Sequence, residues 1–222
     1  MINKKHLEKA ILLSLLLTNV CRLGGATEYN SPDQNHGDLR ASGTVYDGMI
    51  TGASSDDSTF SSIKTTDDGK VIYSFADGDS VNNTTASWVA QTHSNFENLR
   101  PAIRTASDSD VVIDAGDSLS MSGTTMGYGV VMVGADGAGK LTFNGGKITI
   151  DNKYVEREGY AGGSVIQLKD GKITFNNTET ELGCDGNASE NGILLSGGTE
   201  IVFSEQAEKL TITAVNGIVI ED

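Results

Sequence analysis

The sequence predicts an all-β protein, a right-handed parallel β-helix preceded by an N-terminal cap that contains one short α-helix. Three observations lead to this fold class. Glycine is abundant, with 27 of 222 residues, whereas proline occurs only twice. From Val111 onward, short β-branched runs alternate with glycine-centred turns, and similar runs recur at intervals of 25 to 35 residues. Such a recurrence is typical of stacked repeats, and no amphipathic segment of helical length follows Val111.

Residues 1–26 predict a secretory signal peptide. Three lysines lie within residues 1–9, residues 10–20 form the apolar run AILLSLLLTNV, and small residues follow as far as Ala26. The run is too short to span a bilayer. We therefore expect export through the inner membrane by the translocation machinery, cleavage after Ala26 and no membrane span in the mature chain. Because this segment carries a net charge of +3, its removal changes the net charge from −14 to −17.

The two cysteines give no disulfide after that cleavage, because only Cys184 remains. Cys184 is predicted to lie in a polar loop, LGCDGN, as an incidental exposed thiol. A nucleophilic role is disfavoured because His36 and His93 are distant from it in sequence. Cys21 leaves open a lipoprotein alternative, although Val20 stands where such proteins place a small residue.

The region before the repeats has two parts. Residues 27–42 are polar without periodicity and are predicted to be disordered. Residues 43–110 are predicted to cap the first coil, since a solenoid end exposes unpaired backbone groups. This cap would contain three short strands (GTVYDGMI, TFSSIKT and KVIYSFADG) and a helix that carries Trp88, Phe96 and Leu99 on one face and ends before Pro101.

Residues 111–222 are predicted to form the coils. A first strand recurs at 130–133, 165–168, 193–196 and 218–221, with intervals of 35, 28 and 25, and a second at 148–150, 173–175 and 201–203, with intervals of 25 and 28. Alternation in Leu141–Phe143 directs two apolar side chains inward and Thr142 outward. The last strand has no successor, so truncation at the C-terminal end is expected. An antiparallel sandwich is the alternative, because DG and GG turns also join hairpins.

The sequence predicts no catalytic, cofactor or metal site. GADGAGK at 134–140 matches most of a phosphate-binding loop. However, Leu141 stands where Ser or Thr would bind Mg²⁺, and a strand is expected where such a loop needs a helix. Aspartates at 56–57, 67–68, 77–79 and 108–110 could bind Ca²⁺ weakly, but Val81 occupies the ligand position that should follow Asp77 and Asp79. Solvated turns are the preferred interpretation.

Catalysis and nucleic-acid binding are both disfavoured. The excess of acidic residues opposes binding to phosphate backbones. Only two histidines remain in the mature chain, and neither belongs to a recognisable Ser-His-Asp set. The carboxylates Asp114, Asp117, Asp151 and Glu200 are scattered, without a spacing that indicates a catalytic pair.

Coils such as KLTFNGGKITIDN and GGSVIQLKDGKITFNN, together with the signal peptide and cap, resemble the N-terminal part of a bacterial autotransporter passenger domain. The resemblance covers the signal and about Val111–Asp222, and it rests on composition and rhythm. It implies a right-handed β-helix displayed at the bacterial cell surface or secreted, often in adhesion. The C-terminal membrane barrel of that family is not recognisable in this sequence.

The expected function is therefore that of an exported, non-enzymatic surface protein that binds a protein or glycan on host or neighbouring cells. The alternative is a fragment of a β-helical polysaccharide lyase or hydrolase. Outward acidic and basic side chains clustered on one face would favour the enzyme. A uniform ladder of Thr, Ser and Asn would favour the binding protein.

Overall fold

The computed structural model describes residues 26–30, 50, 52, 60, 62–83, 101–105, 107–123, 129–134, 137–152, 163–184 and 191–221. This part of the protein is all-β, which confirms the predicted class, and it contains no helix of the length and apolarity that crossing a bilayer requires. The predicted helix near residues 84–99 and nearly all of the predicted signal peptide lie outside the described residues. Glu28–Asn30, predicted to be disordered, forms a strand because it pairs in parallel with Asp79–Asn83.

Fifteen strands occur in the described part. They are β1 (Glu28–Asn30), β2 (Ile63–Thr65), β3 (Lys70–Ser74), β4 (Asp79–Asn83), β5 (Ile103–Arg104), β6 (Asp110–Asp114), β7 (Ser118–Gly123), β8 (Gly129–Val133), β9 (Gly139–Asn152), β10 (Ser164–Leu168), β11 (Gly171–Cys184), β12 (Asn191–Ser196), β13 (Thr199–Phe203), β14 (Lys209–Ile212) and β15 (Asn216–Glu221).

The strands form two sheets with three ladders of paired strands. The ten-stranded sheet holds two ladders, because the 14-residue strands β9 and β11 pair with different neighbours along each half. The first ladder comprises β2, β3, β6, the first halves of β9 and β11, and β13. The second comprises β1, β4, β7, the second halves of β9 and β11, and β14. The five-stranded sheet is the third ladder, in the order β5-β8-β10-β12-β15.

The chain visits the first, second and third ladders in the same order five times. The visits are β3-β4-β5, β6-β7-β8, β9-β10, β11-β12 and β13-β14-β15. Val71 lies opposite Val111, so the parallel stack extends upstream of the residue at which the repeats are predicted to begin. Among the described strand pairs only β2 with β3 is antiparallel, which is not the pairing of a sandwich built from hairpins.

The predicted alignment of the third ladder is right at two steps and shifted by one residue at the third. Ile166 lies opposite Val131 at an interval of 35 residues, and Ile218 lies opposite Ile193 at an interval of 25. Ile166, rather than Val165, lies opposite Ile193, which makes the middle interval 27. The interval of 27 places the inward-facing side chains of β10 and β12 opposite one another. The predicted interval of 28 would turn every side chain of one strand to the other face.

The predicted 25-residue alignment of Ile148 with Ile173 is wrong. Leu141 lies opposite Ile173, at an interval of 32 residues. The sequence GKITI at 146–150 resembles GKITF at 171–175, but the longer match between GKLTFN at 139–144 and GKITFN at 171–176 determines the register. This register pairs both halves of β9 and β11, over 13 residue pairs, and places Phe175 on Phe143.

The prediction of a polar loop around Cys184 is also wrong for the residues up to Cys184. Residues 177–184 form the second half of β11, and Cys184 is its last residue, opposite Asn152. Leu182 is buried opposite Ile150. The sequence TETELGC looks polar enough for a loop, but β9 supplies a parallel partner for its backbone and a buried site for Leu182.

The core lies between the ladders and is built from stacked apolar columns. Leu141 and Phe143 are buried while Thr142 between them is partly exposed, which confirms the predicted alternation. The rings of Phe143, Phe175 and Phe203 stack in one column, with successive centroids 5.6 and 5.1 Å apart. Three successive turns of the chain therefore pack phenylalanine on phenylalanine in this column.

The two ends of the stack differ. At the upstream end four aromatic rings are packed together and buried, with Tyr29 and Phe60 centroids 5.0 Å apart and Phe60 edge-on to Tyr73 at 5.4 Å. At the downstream end Phe203, Ile218 and Ile220 are 47, 52 and 76% exposed. The last turn thus leaves the apolar columns uncovered within the described part.

Candidate functional site

The stretch that resembles a phosphate-binding loop is a turn from the third ladder to the first. Gly134 has a φ of 74°, and Lys140 is the second residue of β9. A strand therefore follows the glycines, as predicted, and no helix N-terminus is present after Gly139 to bind a phosphate. Residues 135 and 136 lie outside the described residues.

Asp79 has a structural role and is not a solvated turn residue. It is 2% exposed, and its Oδ1 and Oδ2 accept hydrogen bonds from the backbone N–H groups of Thr27 and Ala76, each at 2.7 Å. These bonds hold the start of β1 against the turn before β4. Asp77 is exposed, and its carboxylate accepts a hydrogen bond from the Ser118 hydroxyl at 2.7 Å. Of Asp77 and Asp79, the solvated-turn interpretation therefore fits only Asp77.

Asp68 forms an ion pair in an exposed turn. Its carboxylate lies 2.8 Å from the Lys70 ammonium and also accepts a hydrogen bond from the Thr66 hydroxyl. The hydrogen bond from Lys70 contributes most to lowering the pKa of Asp68 to about 2, and the hydrogen bond from Thr66 contributes next. Among the described residues no three His, Cys, Asp or Glu side chains cluster as a metal site would require. Asp56 and Asp57 lie outside that part of the chain.

The scattered carboxylates do not converge. Asp114 lies opposite Asn144 in the first ladder, and Asp151 lies opposite Gly183 in the second. Glu200 lies opposite Lys172 in another column of the first ladder. Asp117 precedes β7, and its backbone carbonyl accepts a hydrogen bond from the Lys147 N–H at 2.9 Å. His36 and His93 lie outside the described residues.

A groove of about 430 Å³ crosses the turns that lead from the third ladder into the first. Glycines at successive turns line it, namely Gly139, Gly171 and Gly198. Gly171 has a φ of 102°, and a Cβ there would lie 2.0 Å from the carbonyl oxygen of Gly139. The turns can stack so closely only because no side chain lies between them. The side chains along the rim belong to Asp108, Ser109, Asp110, Lys140, Lys172, Thr199 and Glu200.

Four residues of one charged column line this groove, and the column carries a charged residue at every turn. It consists of Lys70, Asp110, Lys140, Lys172 and Glu200, each opposite the next. The Lys172 ammonium lies 3.1 Å from the Glu200 carboxylate, and both side chains are partly exposed. Lys140 is exposed and makes no ion pair with any described residue.

A second charged column lies on the second ladder and alternates in sign. It runs through Lys147, Glu179 and Lys209. The Lys209 ammonium bonds to the Glu179 carboxylate, which lowers the pKa of Glu179 and raises that of Lys209. The Lys147 ammonium lies 2.6 Å from the carboxylate of Glu181. Ion pairs across strands thus stabilise this column, but only weakly because the side chains are exposed to solvent.

Between the charged columns the first ladder carries neutral polar side chains. Asn176 donates a hydrogen bond from Nδ2 to Oδ1 of Asn144 at 3.0 Å, and Thr174 lies opposite Thr142. The sequence analysis predicted polar outward positions, but it did not predict that Lys140 and Lys172 lie next to each other in a charged column. The signal for it is the repeated Gly-Lys of residues 139–140 and 171–172, which the 25-residue alignment concealed.

Comparisons of the chain with protein-family models, with curated proteins and with solved structures return no match. The groove, the charged column and the neutral ladder are therefore interpreted from their own chemistry.

Proposed function

We propose that the chain is an exported, right-handed parallel β-helix that binds a ligand on another cell and carries out no catalysis. The fold part of the proposal is supported by the fivefold repetition of the same three-ladder order. Each passage from the first ladder through the others and back is a crossover between parallel strands, and about 98% of such crossovers are right-handed. The buried aromatic cluster around Phe60 is consistent with a cap at the upstream end.

The binding role is supported by the groove. Gly198 leaves backbone accessible in it, and its lining side chains combine hydroxyl, carboxylate and ammonium groups that suit a polar ligand. The export part is supported by the basic and apolar composition of residues 1–26. The resemblance to autotransporter passengers supports secretion or display at the bacterial surface.

Expression of the full chain in a bacterium with an outer membrane tests the export part. We expect the exported product to begin at Thr27 by intact-mass spectrometry. A product that begins at a lipidated Cys21 would instead support a lipoprotein, and an uncleaved product retained in the cytoplasm would contradict export.

Binding of the labelled mature chain to cultured host cells tests the adhesive part. Gly198→Trp should fill the groove, since a Cβ at Gly198 meets nothing closer than the Asp170 carboxylate at 3.8 Å. Gly217→Trp is the matched control, because a Cβ there has open space outside the groove. Saturable binding that Gly198→Trp alone reduces is the expected result. Absence of saturable binding, or equal binding by both variants, would contradict the proposal.

The polysaccharide-cleaving enzyme remains the second candidate, because the groove does gather acidic and basic side chains on one face. Asp110 and Glu200 are three strand spacings apart, about 14 Å. The carboxylates of glycoside hydrolases are about 5–9.5 Å apart, so this pair fits a hydrolase poorly. Release of reducing ends or of unsaturated sugars from acidic polysaccharides, lost in Glu200→Gln, would establish the enzyme instead.

A further inference from the structure

We infer that Lys140 and Lys172 form an anion-binding pair in the groove, and that the ligand is a glycan carrying carboxylate or sulfate groups. The inference names the ligand class for the groove of the proposed function, and so rests on that function. One pair of opposite residues, Lys140 and Lys172, departs from the charge pattern of the other strand pairs.

Lys140 opposite Lys172 is the one like-charge pair among the described strand registers. Elsewhere in these registers a charged residue that faces another charged residue faces the opposite sign, as in Lys70 with Asp110 or Lys147 with Glu179. Adjacent strands are about 4.8 Å apart, and like charges placed directly opposite are destabilising. The sequence thus tolerates an unfavourable contact at the point where the groove lies.

The environment of the pair leaves it partly uncompensated. Glu200 forms an ion pair with Lys172. Asp110 lies opposite Lys140 on the other side of the pair but forms no ion pair with it, and Lys140 forms none with any other described residue. One anionic group placed between the two ammonium groups would contact both and would remove their repulsion. Gly198 leaves room for a sugar ring to approach the backbone, because a Cβ there would meet nothing closer than 3.8 Å.

The flanking groups favour a sugar over a simple anion. Ser109 and Asp110 lie on one side of the lysine pair, and Thr199 and Glu200 lie on the other. Their oxygen atoms can accept hydrogen bonds from sugar hydroxyls, whereas the carboxylates would repel a small anion that offers no hydroxyl. A chain of acidic sugars can satisfy the lysines and these acceptors together.

Binding of the full-length, exported chain to immobilised polymers tests the inference. Polygalacturonate presents carboxylates, heparin presents sulfates, and dextran is the neutral comparison. The variants are Lys140→Met, Lys172→Met and their combination, and the control is Lys147→Met, which removes a lysine from the same strand outside the groove. We expect one acidic polymer to bind, binding to weaken with added salt, and the double variant to lose at least tenfold in affinity while Lys147→Met does not.

A second readout is independent of the polymers. Lys140→Met relieves the repulsion between ammonium groups, so its urea midpoint should equal or exceed that of the native chain, whereas a purely structural lysine would lower it. Equal binding by all variants, equal binding to dextran, or a lowered midpoint for Lys140→Met would overturn the inference. Cell binding that depends on Gly198 while no acidic polymer binds would overturn the inference but leave the proposed function intact.

Discussion

Phe175 stacks on Phe143 with ring centroids 5.6 Å apart and ring planes inclined by 25°. Phe203 stacks on the other face of Phe175, so the middle ring of the column is only 1% exposed while Phe203 is 47% exposed. Stability should therefore depend on position within the column.

Phe175→Ala should cost about 3–5 kcal/mol of unfolding free energy, because it removes a fully buried ring and leaves a cavity between two others. Phe203→Ala is the matched control and should cost clearly less, because nearly half of that ring already contacts solvent. Urea denaturation followed by circular dichroism measures both. Equal losses would show that the column does not act as a stack with a buried middle and an open end.

Two glycines of positive φ, Gly171 in the groove and Gly69 outside it, give a second prediction. Gly171→Ala should destabilise strongly, since its Cβ would lie 2.0 Å from the Gly139 carbonyl oxygen. Gly69 has a φ of 86°, but a Cβ there would have nothing within 4 Å. Gly69→Ala should therefore lose only the cost of holding alanine at positive φ, about 1–2 kcal/mol. Thermal denaturation of the two variants separates steric overlap from backbone strain, and similar losses would mean that the turns can move apart at little cost.

The exposed pair of Asp68 and Lys70 predicts a pH effect. The pKa of Asp68 is lowered to about 2 from an ordinary value of 3.8, so its ionised form stabilises the fold. This contribution is present above the ordinary pKa and is lost as the pH falls from about 4 to about 2. Carboxyl-carbon NMR titration should place the Asp68 midpoint near 2, and Lys70→Met should return it toward 3.8. A native midpoint near 3.8 would mean that the pair does not persist in solution.

The uncovered downstream end predicts self-association of this chain. Ile220 is 76% exposed on β15, and the outer edge of β15 has no partner among the described strands. Such edges pair with other chains. Sedimentation velocity should show association that increases with concentration and that Ile220→Lys reduces. Glu221→Gln is the control, because it alters the same strand and adds no apolar side chain. A native chain that stays monomeric at high concentration would refute this prediction.

Local patterns predicted the class and the alternation correctly. Leu141, Thr142 and Phe143 already show which side chains face the core, because a strand has a period of two. The pairing of strands was harder to predict. The segments beginning at Gly146 and at Gly171 are similar in sequence, and only the longer extent of pairing between β9 and β11 decides between registers of 25 and 32 residues.

The candidate site was less predictable for the same reason. Lys140 and Lys172 become neighbours only through the 32-residue register, so neither is notable in the linear sequence. Asp79 could not be separated from Asp77 by composition, because its distinguishing feature is the pair of backbone N–H groups from Thr27 and Ala76 that bind its carboxylate. Long-range pairing, which a local pattern does not contain, decides both cases.

Because the two ends of the stack differ, the free energy of local opening should change from turn to turn along the stack. Each turn is held only by the turns beside it, as in other one-dimensional assemblies. Amide hydrogen exchange should therefore be fastest in β13, β14 and β15, slower in β11 and β12, and slowest where β9 is paired on both sides. Thermal fluctuation would then open the last described turn, which holds β13, β14 and β15, before the interior turns that carry the lysine pair.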